Sequence, residues 1–549
     1  MMREIIWPAD NAPSQRWPIY TRGNVGEVYP NVVLPLEWDL GGLPSEKAWR
    51  TAAADIGFAG EEDFGDGDFV ITGIFGGYAY FNASIMRLLG VRTPGLKPEM
   101  MDTQLLGNAD VVSYQPRPGD KNLKATLKLI RTALTTLRAS SVPLIDEMRI
   151  RADRVRADAP PMDASNDTLW QYIKQGLADN WEFMIGSHVI NSMRATIASG
   201  SLTDFCEKHL DNPNLAVTLT TGIGDVVSAE PAREMWVLAN ETPEAGYDTA
   251  FAAFLERYGH RGPNEFSLVG RDWAAFPDLA HAAIDNMRGM DPTRSPVEQQ
   301  KRMATERQRA VVEAKASLGW RGRRLDSAIE NTALWSRARE ESKNQVIRSN
   351  QLARHAFLEL LRRAAEGGGV EDNVGPLLLT EDEFLAYLAD PPSKVATIEE
   401  RRADYLILKD LEPPFAFDCS ETGAPPPTST WSARQATGDQ VEAGTVMDGA
   451  AGAPGVAKGR ARVVLDPSDP SAMQPGDVLV APLTDPSWTP LFVPASAVVV
   501  EVGAAMSHSM IVSRELGIPC VVGVDQATMR IPDGAEVEVD GEAGTVRVL

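Results

Sequence analysis

Hydrophobic residues recur at helical spacing along much of the first 411 residues of the chain. Leu123, Leu127, Ile130, Leu134 and Leu137 follow one another at alternating intervals of four and three residues. This spacing places an apolar stripe on one face of a helix. The same period predicts further helices over 168–198, 246–259, about 295–318 and about 325–365.

The hydrophobic pattern of residues 1–110 does not distinguish strands from helices. They contain glycines, aromatic residues and short apolar runs such as DFVITGIFGGYAYF. A run of that length fits either a strand or a buried helix segment. The choice between the two stays open for this part of the chain.

After about residue 448 the hydrophobic period changes to two. Residues 459–464 and 535–540 alternate polar and apolar side chains, whereas 477–480 and 497–500 are apolar runs typical of buried strands. One helix is indicated over 507–516. The expected fold class is multidomain, with a mainly α-helical domain followed by a small α/β domain.

The segment between these two regions has a different composition. Residues 412–447 are rich in Pro, Ser, Thr and Gly and show no hydrophobic period, which is typical of a linker. We therefore expect a helical domain over 1–411, a linker over 412–447 and the α/β domain over 448–549.

Composition narrows the classes of partner. The chain has 53 Lys and Arg against 76 Asp and Glu, a net charge of -23, so nucleic acid is not an expected partner. Its three cysteines form no CxxC pair, which fits a reducing compartment. No apolar run approaches the roughly 20 residues that span a bilayer. We expect a cytoplasmic protein without a membrane partner.

His508 lies at the start of the predicted helix over 507–516, after a run of small residues. Free backbone N–H groups and the positive end of the helix dipole disfavour an imidazolium ion there and favour an attached phosphoryl group. A phosphohistidine suits this position. A solvated histidine beside a helix cap is the alternative that the local pattern leaves open.

Residues 448–549 resemble the swivelling phosphohistidine domain of the phosphoenolpyruvate-utilising enzymes. The resemblance is carried by GAPGVAKGRARVV, PGDVLVAPLTDPSWTPLF, VVVEVGAAMSHSMIVSRELGIPCVVGV and IPDGAEVEVDGEAGTVRV. It implies that His508 is the phosphorylated residue and that Thr484 and Ser507 bind the phosphoryl group. It also implies that Arg514 supports the site.

Residues 1–411 resemble, less continuously, the substrate-binding domain of rifampin phosphotransferases and the larger subunit of two-component aryl phosphate synthases. The similar segments lie at 20–40, 80–95, 220–239 and 258–273. The resemblance implies that the helical domain binds the acceptor of the phosphoryl group.

Transfer to a hydroxyl needs cations around the phosphoryl oxygens and a base for the hydroxyl proton. His260 is the predicted base, His188 is the runner-up, and Arg261 is a candidate phosphate ligand. The charged residues of the similar segments that complete the candidate acceptor site are Arg22, Glu27, Glu265 and Arg271. An Arg and a Glu four residues apart also form solvated pairs. The charged run over 337–348 is interpreted as a solvated helix face.

Neither a GxxxxGK[ST] loop nor an ATP-grasp pattern is present in the sequence. ATP and Mg²⁺ are therefore expected on a separate ATP-grasp subunit, with no metal site on this chain. The expected function is the phosphotransfer subunit of an ATP-dependent aryl phosphate synthase, which passes a phosphoryl group from His508 to a small phenolic hydroxyl. The alternatives are a component of a rifamycin-type antibiotic phosphotransferase and a non-catalytic regulatory protein.

Overall fold

The computed structural model describes residues 3–549 except for 24, 66, 107–111, 225, 434–439, 466, 468, 470–471, 485–487 and 502–506. Its helices are α1 (Pro35–Ile56), α2 (Glu61–Phe64), α3 (Ala83–Arg92), α4 (Pro98–Leu106), α5 (Leu123–Thr136), α6 (Pro143–Ala157), α7 (Asn166–Lys174), α8 (Trp181–Leu210), α9 (Leu215–Leu219), α10 (Glu230–Asn240), α11 (Glu244–Tyr258), α12 (Pro277–Met287), α13 (Pro296–Leu318), α14 (Gly322–Glu366), α15 (Glu381–Ala389), α16 (Val395–Lys409), α17 (Thr489–Phe492), α18 (His508–Leu516) and α19 (Ala527–Arg530). Its strands are β1 (Ile19–Thr21), β2 (Thr72–Phe75), β3 (Tyr78–Asn82), β4 (Leu411–Glu412), β5 (Ala416–Asp418), β6 (Ser432–Ala433), β7 (Val446–Asp448), β8 (Ala450–Ala453), β9 (Val456–Val463), β10 (Val478–Ala481), β11 (Ala497–Val500), β12 (Cys520–Val522), β13 (Glu536–Asp540) and β14 (Thr545–Val548).

The helices predicted from the hydrophobic period are present. The longest is α14, whose 45 residues pack along α8 and bury Val346 and Phe357 completely. The two helices run antiparallel, because His188 of α8 contacts Ser342 of α14 while Gly176, just before α8, lies against Ala353. None of the described helices combines the length and apolar composition needed to cross a bilayer.

The undecided run DFVITGIFGGYAYF forms a β-hairpin in which β2 pairs antiparallel with β3. Gly76 and Gly77 make its turn at φ values of 55° and 79°. Two successive positive φ values are typical of the tight turn that glycine allows and that joins twisted strands. Strand β3 also pairs antiparallel with β1, so the N-terminal region contains a small sheet beside the helices.

The first half of the predicted linker, up to Ala433, is folded against the N-terminal region. β5 pairs with β1, and Phe417 of β5 is buried against Tyr20, with ring centroids 5.5 Å apart. Trp431 is also buried and contacts Tyr78. Apolar side chains therefore fix the segment up to Ala433 on the N-terminal sheet despite its Pro- and Ser-rich composition.

The C-terminal region forms a mixed sheet in the order β7-β14-β13-β9-β10-β11-β12-β8. Its central strands β9 to β12 are parallel, and α18 connects β11 to β12. Strands β10 to β12 are completely buried, which explains their unbroken apolar sequences. The helix therefore begins beyond the carboxyl end of β11, an edge at which α/β sheets place their ligands.

The C-terminal region is docked on the helical region. Val493, at the end of α17, joins the apolar core of α10, α11 and α12, and Arg294 donates a hydrogen bond of 2.8 Å to the carbonyl oxygen of Pro494. The buried carboxylate of Glu515 in α18 accepts hydrogen bonds from the backbone N–H groups of Ile223 and Gly224, at 3.2 and 3.3 Å. α18 is thereby held against the loop that follows α9.

We expect Glu515→Ala to weaken this docking without unfolding either region. The substitution leaves two backbone donors unpaired in the docked state, a loss of about 1–3 kcal/mol. Small-angle scattering should show a larger radius of gyration for the variant, whereas Glu542→Ala, at an exposed site of the same region, should match the parent chain. Equal radii for the two variants would contradict a docking role for Glu515.

Candidate functional site

His508 is the first residue of α18 and is only 4% exposed. Its Nδ1 lies 3.3 Å from Oγ1 of Thr484, and its Nε2 lies 3.5 Å from Oγ1 of Thr489. The ring of Phe492 meets the imidazole edge-on at 5.9 Å. Thr489 also contacts the carbonyl oxygen of Ser228 in the helical region. The histidine therefore lies at the contact between the two regions.

The surroundings of His508 hold its imidazole neutral. Burial is the largest cause that lowers its pKa well below the usual value, and the charges of Lys343, Arg261 and Arg339 lower it further. A neutral imidazole keeps the lone pair that a phosphoryl acceptor needs. The same cations that oppose a proton attract a phosphoryl group, which is anionic.

Two of these cations come from α14, within the charged run over 337–348. The interpretation of this run as a solvated face is wrong for Glu340, which is 3% exposed and pairs with Arg339 at 2.5 Å. Arg339 and Lys343 are one turn apart, and Nζ of Lys343 lies 5.7 Å from the ring centroid of Phe266. The spacing of Arg339 and Lys343 was the sequence signal that these two cations share a helix face. The spacing does not reveal that this stretch of the helix is largely buried.

The predicted pair Arg261 and Glu265 is buried and not solvated. Arg261 Nε lies 2.7 Å from Oε1 of Glu265, and Arg261 Nη1 donates to Oδ1 of Asn344 at 3.2 Å. His260 Nε2 lies 2.8 Å from the same Oδ1. Because arginine only donates, Oδ1 is the acceptor for both residues, so Nε2 of His260 carries its proton and Nδ1 has the lone pair.

His188 belongs to the same neighbourhood. Its Nδ1 lies 2.9 Å from Oγ of Ser342, whose hydroxyl donates to the carbonyl oxygen of Arg339. The proton of this contact is therefore on Nδ1 of His188. Burial, followed by the charges of Arg339 and Lys343, lowers the pKa of His188 to about 3, and burial followed by the charge of Arg261 lowers the pKa of His260 to about 3.

These buried histidines predict acid sensitivity. In the unfolded chain a histidine has a pKa of about 6.5, so between that pH and about 3 the unfolded state binds more protons than the folded state. The free energy of unfolding is therefore expected to fall as the pH drops below about 6.5. His260→Gln should reduce this pH dependence in urea unfolding by up to about 1.4 kcal/mol per pH unit. The exposed His209→Gln should leave it unchanged, and equal slopes for the two variants would contradict the prediction.

Of the residues predicted on the C-terminal region, Thr484 and Ser507 lie at the histidine. Ser507 precedes His508, is buried, and contacts Oγ of Ser509 at 3.0 Å. Arg514 ties α18 to β8, because its Nε donates a hydrogen bond of 2.8 Å to the carbonyl oxygen of Gly452. The small-residue turn before His508 falls within 502–506, outside the described residues.

The described contacts of Arg22 and Arg271 are with other residues of the helical region. Arg22 donates to the carbonyl oxygen of Pro30 at 3.0 Å and lies over the ring of Tyr78. Arg271 is exposed and lies over Phe276. The side chain of Glu27 lies outside the described part of the chain.

Cavities border Asn344, Glu265 and Phe266 of the helical region. One of about 580 Å³ is lined by Asn344 and Tyr258, and it shares Leu334 and Arg337 with a neighbouring cavity of about 740 Å³. A smaller one of about 190 Å³ is lined by Glu265, Phe266 and Trp181.

The chemistry of the donor set selects the kind of ligand. Within the described residues, no group of three His, Cys, Asp or Glu side chains is placed to hold a metal ion. The charges that act on His508 are cations, which suit a phosphoryl group and not Mg²⁺. The site therefore has the composition of an anion site centred on a nucleophilic histidine.

Comparison with known families agrees with this composition. Residues 473–544 match the family described as PEP-utilising enzyme, mobile domain, and residues 241–340 match the rifampicin phosphotransferase fourth domain. The resemblance to the phosphoenolpyruvate-utilising enzymes is confirmed. The first match contains His508, and the second contains Arg261, Arg339 and His260.

The similar proteins include two rifampicin phosphotransferases and a transferase with a different name. A rifampicin phosphotransferase of Streptomyces sviceus is 31% identical over 55% of this chain and 34% of the relative, and one of a Streptomyces species is 30% identical over 63% and 43%. The prodigiosin synthesizing transferase PigC of Serratia marcescens is 26% identical over 98% of this chain and 64% of the relative. The chain thus spans between about a third and two thirds of the length of these relatives.

Proposed function

We propose that this chain is the phosphotransfer part of an enzyme of the rifampicin phosphotransferase type, in which His508 carries a phosphoryl group to a hydroxyl of the acceptor. The observation that supports this most directly is the burial of His508 at the contact with the helical region, where the charges of Lys343, Arg261 and Arg339 lower its pKa. The named relatives support phosphotransfer in preference to a purely regulatory role.

In the proposed step, the acceptor oxygen attacks the phosphorus and the bond from phosphorus to the imidazole nitrogen of His508 breaks. The bonding electron pair returns to the imidazole, and the hydroxyl proton passes to Nδ1 of His260. Burial, followed by the positive charge of Arg261, holds the pKa of His260 low. An arriving phosphoryl group offsets that charge and raises the pKa of His260, so the base gains strength when it is needed.

Charging of His508 requires a different position of its region, because the docked histidine is almost completely buried. The proposal therefore includes a movement of the C-terminal region that brings His508 to a donor site. ATP and Mg²⁺ are assigned to an ATP-grasp protein on a separate chain. Such travel satisfies the need for reacting atoms within about 3–3.5 Å at two separate places.

The acceptor proposed first is a large, rifamycin-like molecule, as the names of the relatives suggest. The adjoining cavities of about 580 and 740 Å³ provide room for it beside Asn344. A small phenol is the second candidate, and the cavity of about 190 Å³ lined by Phe266 favours it. An apolar cavity of about 150 Å³ already holds a benzene ring.

The experiment separates these acceptors without a partner protein. The purified chain is charged on histidine with phosphoramidate, freed of reagent, and mixed with rifampicin or with phenol. We expect loss of acid-labile phosphate from the protein and a phosphorylated rifampicin by mass spectrometry. Phenyl phosphate instead would support the second candidate, and His508→Gln is the control that should yield neither product. A charged chain that transfers to neither acceptor would contradict the proposal.

A further inference from the structure

Helix α5 is oriented with its apolar stripe toward solvent. Leu123, Leu127, Ile130, Leu134 and Leu137, here called the α5 stripe, are between 37% and 73% exposed. The face opposite to the stripe is the one that packs on the protein, and it carries two threonines and one leucine, namely Leu129, Thr132 and Thr136.

The inward face is fixed by polar contacts. Thr132 donates its hydroxyl to the carbonyl oxygen of Ile56 at 2.9 Å, and Trp335 Nε1 donates to the carbonyl oxygen of Thr136 at 3.0 Å. The outward direction of the stripe is thus a consequence of specific hydrogen bonds. An apolar face that a folded chain leaves outside is typical of an interaction surface.

A row of positive charges borders the stripe. The segment 121–138 contains no carboxylate in a chain of net charge -23, and its basic residues are Lys121, Lys124, Lys128, Arg131 and Arg138. All of them are exposed, and within the described part of the chain none of them forms an ion pair. At 100° per residue, Lys124, Lys128 and Arg131 lie along one side of the stripe.

We propose that the α5 stripe binds an acidic amphipathic helix of a partner protein. Leucines of the partner would pack on the stripe, and its carboxylates would pair with the cationic row. A second copy of this chain fits poorly, because antiparallel packing of two stripes brings like charges together. An anionic membrane also fits poorly, because the stripe has no aromatic anchor and the protein is strongly acidic.

The test uses the full chain and a labelled synthetic peptide. The peptide has the sequence of residues 121–138 with glutamate in place of each lysine and arginine, and its control is the unchanged sequence. Fluorescence anisotropy should show saturable binding of the acidic peptide only. Leu127→Gln with Leu134→Gln, and separately Lys124→Glu with Lys128→Glu, should each weaken binding about tenfold or more, a change of about 1.4 kcal/mol.

Matched controls keep the result specific. Leu406→Gln changes an exposed leucine of another helix, and Arg309→Glu with Arg323→Glu reverses two exposed charges elsewhere, so both should retain parent affinity. The proposal is overturned if the acidic peptide does not bind or the unchanged peptide binds equally well. It is also overturned if the stripe variants abolish self-association seen by sedimentation, or abolish flotation with phosphatidylglycerol vesicles.

Discussion

The variant His508→Gln is expected to accept no phosphoryl group at this position and to lose acceptor phosphorylation by at least about a thousandfold. Glutamine lacks a nucleophilic nitrogen, and removing the nucleophile of a covalent relay removes the whole pathway. The amide still offers polar atoms to Thr484 and Thr489, which flank the imidazole in the parent chain. Acid-labile phosphate and product are measured after charging with phosphoramidate, beside a circular dichroism spectrum that checks the fold.

The matched control for this experiment is His209→Gln, which makes the same change at an exposed position of α8. It should charge and transfer like the parent chain. Acid-labile phosphate in undiminished amount on His508→Gln would place the modification on another histidine. The relay would then require a different carrier residue.

Local sequence signals sufficed where a feature depends on neighbours along the chain. The alternating and apolar runs predict β9, β10, β11 and β13 of the C-terminal sheet, and the small-residue run before His508 predicts the helix that begins there. The period of four and three predicts α5, since only spacing is involved. The direction in which the α5 stripe faces is decided by hydrogen bonds from Thr132 and to Thr136, whose partners are distant in sequence.

The sequence did not reveal that Arg261, Arg339 and Lys343, here called the cation cluster, act on the same histidine. The burial of a helix depends on packing between residues that are distant in sequence. Arg339 and Lys343 have the spacing of a solvated charged face, and the docking of the C-terminal region on the helical region is what allows their charges to act on His508. Arg22 is a predicted site residue whose hydrogen-bond partner the sequence did not indicate. It lies in a segment that resembles a substrate-binding domain, yet its guanidinium group binds the carbonyl oxygen of Pro30. A basic residue alone does not specify an anion as its partner.

Docking explains why so many cations are gathered at one contact. A phosphohistidine loses its group to water unless water is kept away, and the docked His508 is buried between the threonines and the helical region. A buried dianion is costly without counter-charges. In the proposed relay, Arg261, Arg339 and Lys343 would supply these charges in the docked state, which would stabilise the phosphoryl group where the acceptor is bound.

Lys343→Gln is accordingly expected to slow transfer about a hundredfold to a thousandfold, as for loss of one group that stabilises transition-state charge. Charging with phosphoramidate should be little affected, because Lys343 belongs to the helical region and meets His508 only on docking. Single-turnover decay of the phosphohistidine in the presence of acceptor measures the transfer step separately. Lys343→Arg should recover part of the rate, since the charge is retained.

A second readout distinguishes an electrostatic role of Lys343 from a structural one. Because the charge of Lys343 lowers the pKa of His508 in the docked state, its removal should raise that pKa, observable by titration of the imidazole with nitrogen NMR. Arg362→Gln, at an exposed position of the same helix, should change neither the transfer rate nor the titration. A slower transfer in Lys343→Gln with an unmoved His508 titration would mean that Lys343 acts by holding Phe266 and α14 in place, and the cation cluster would lose its assigned part in transfer.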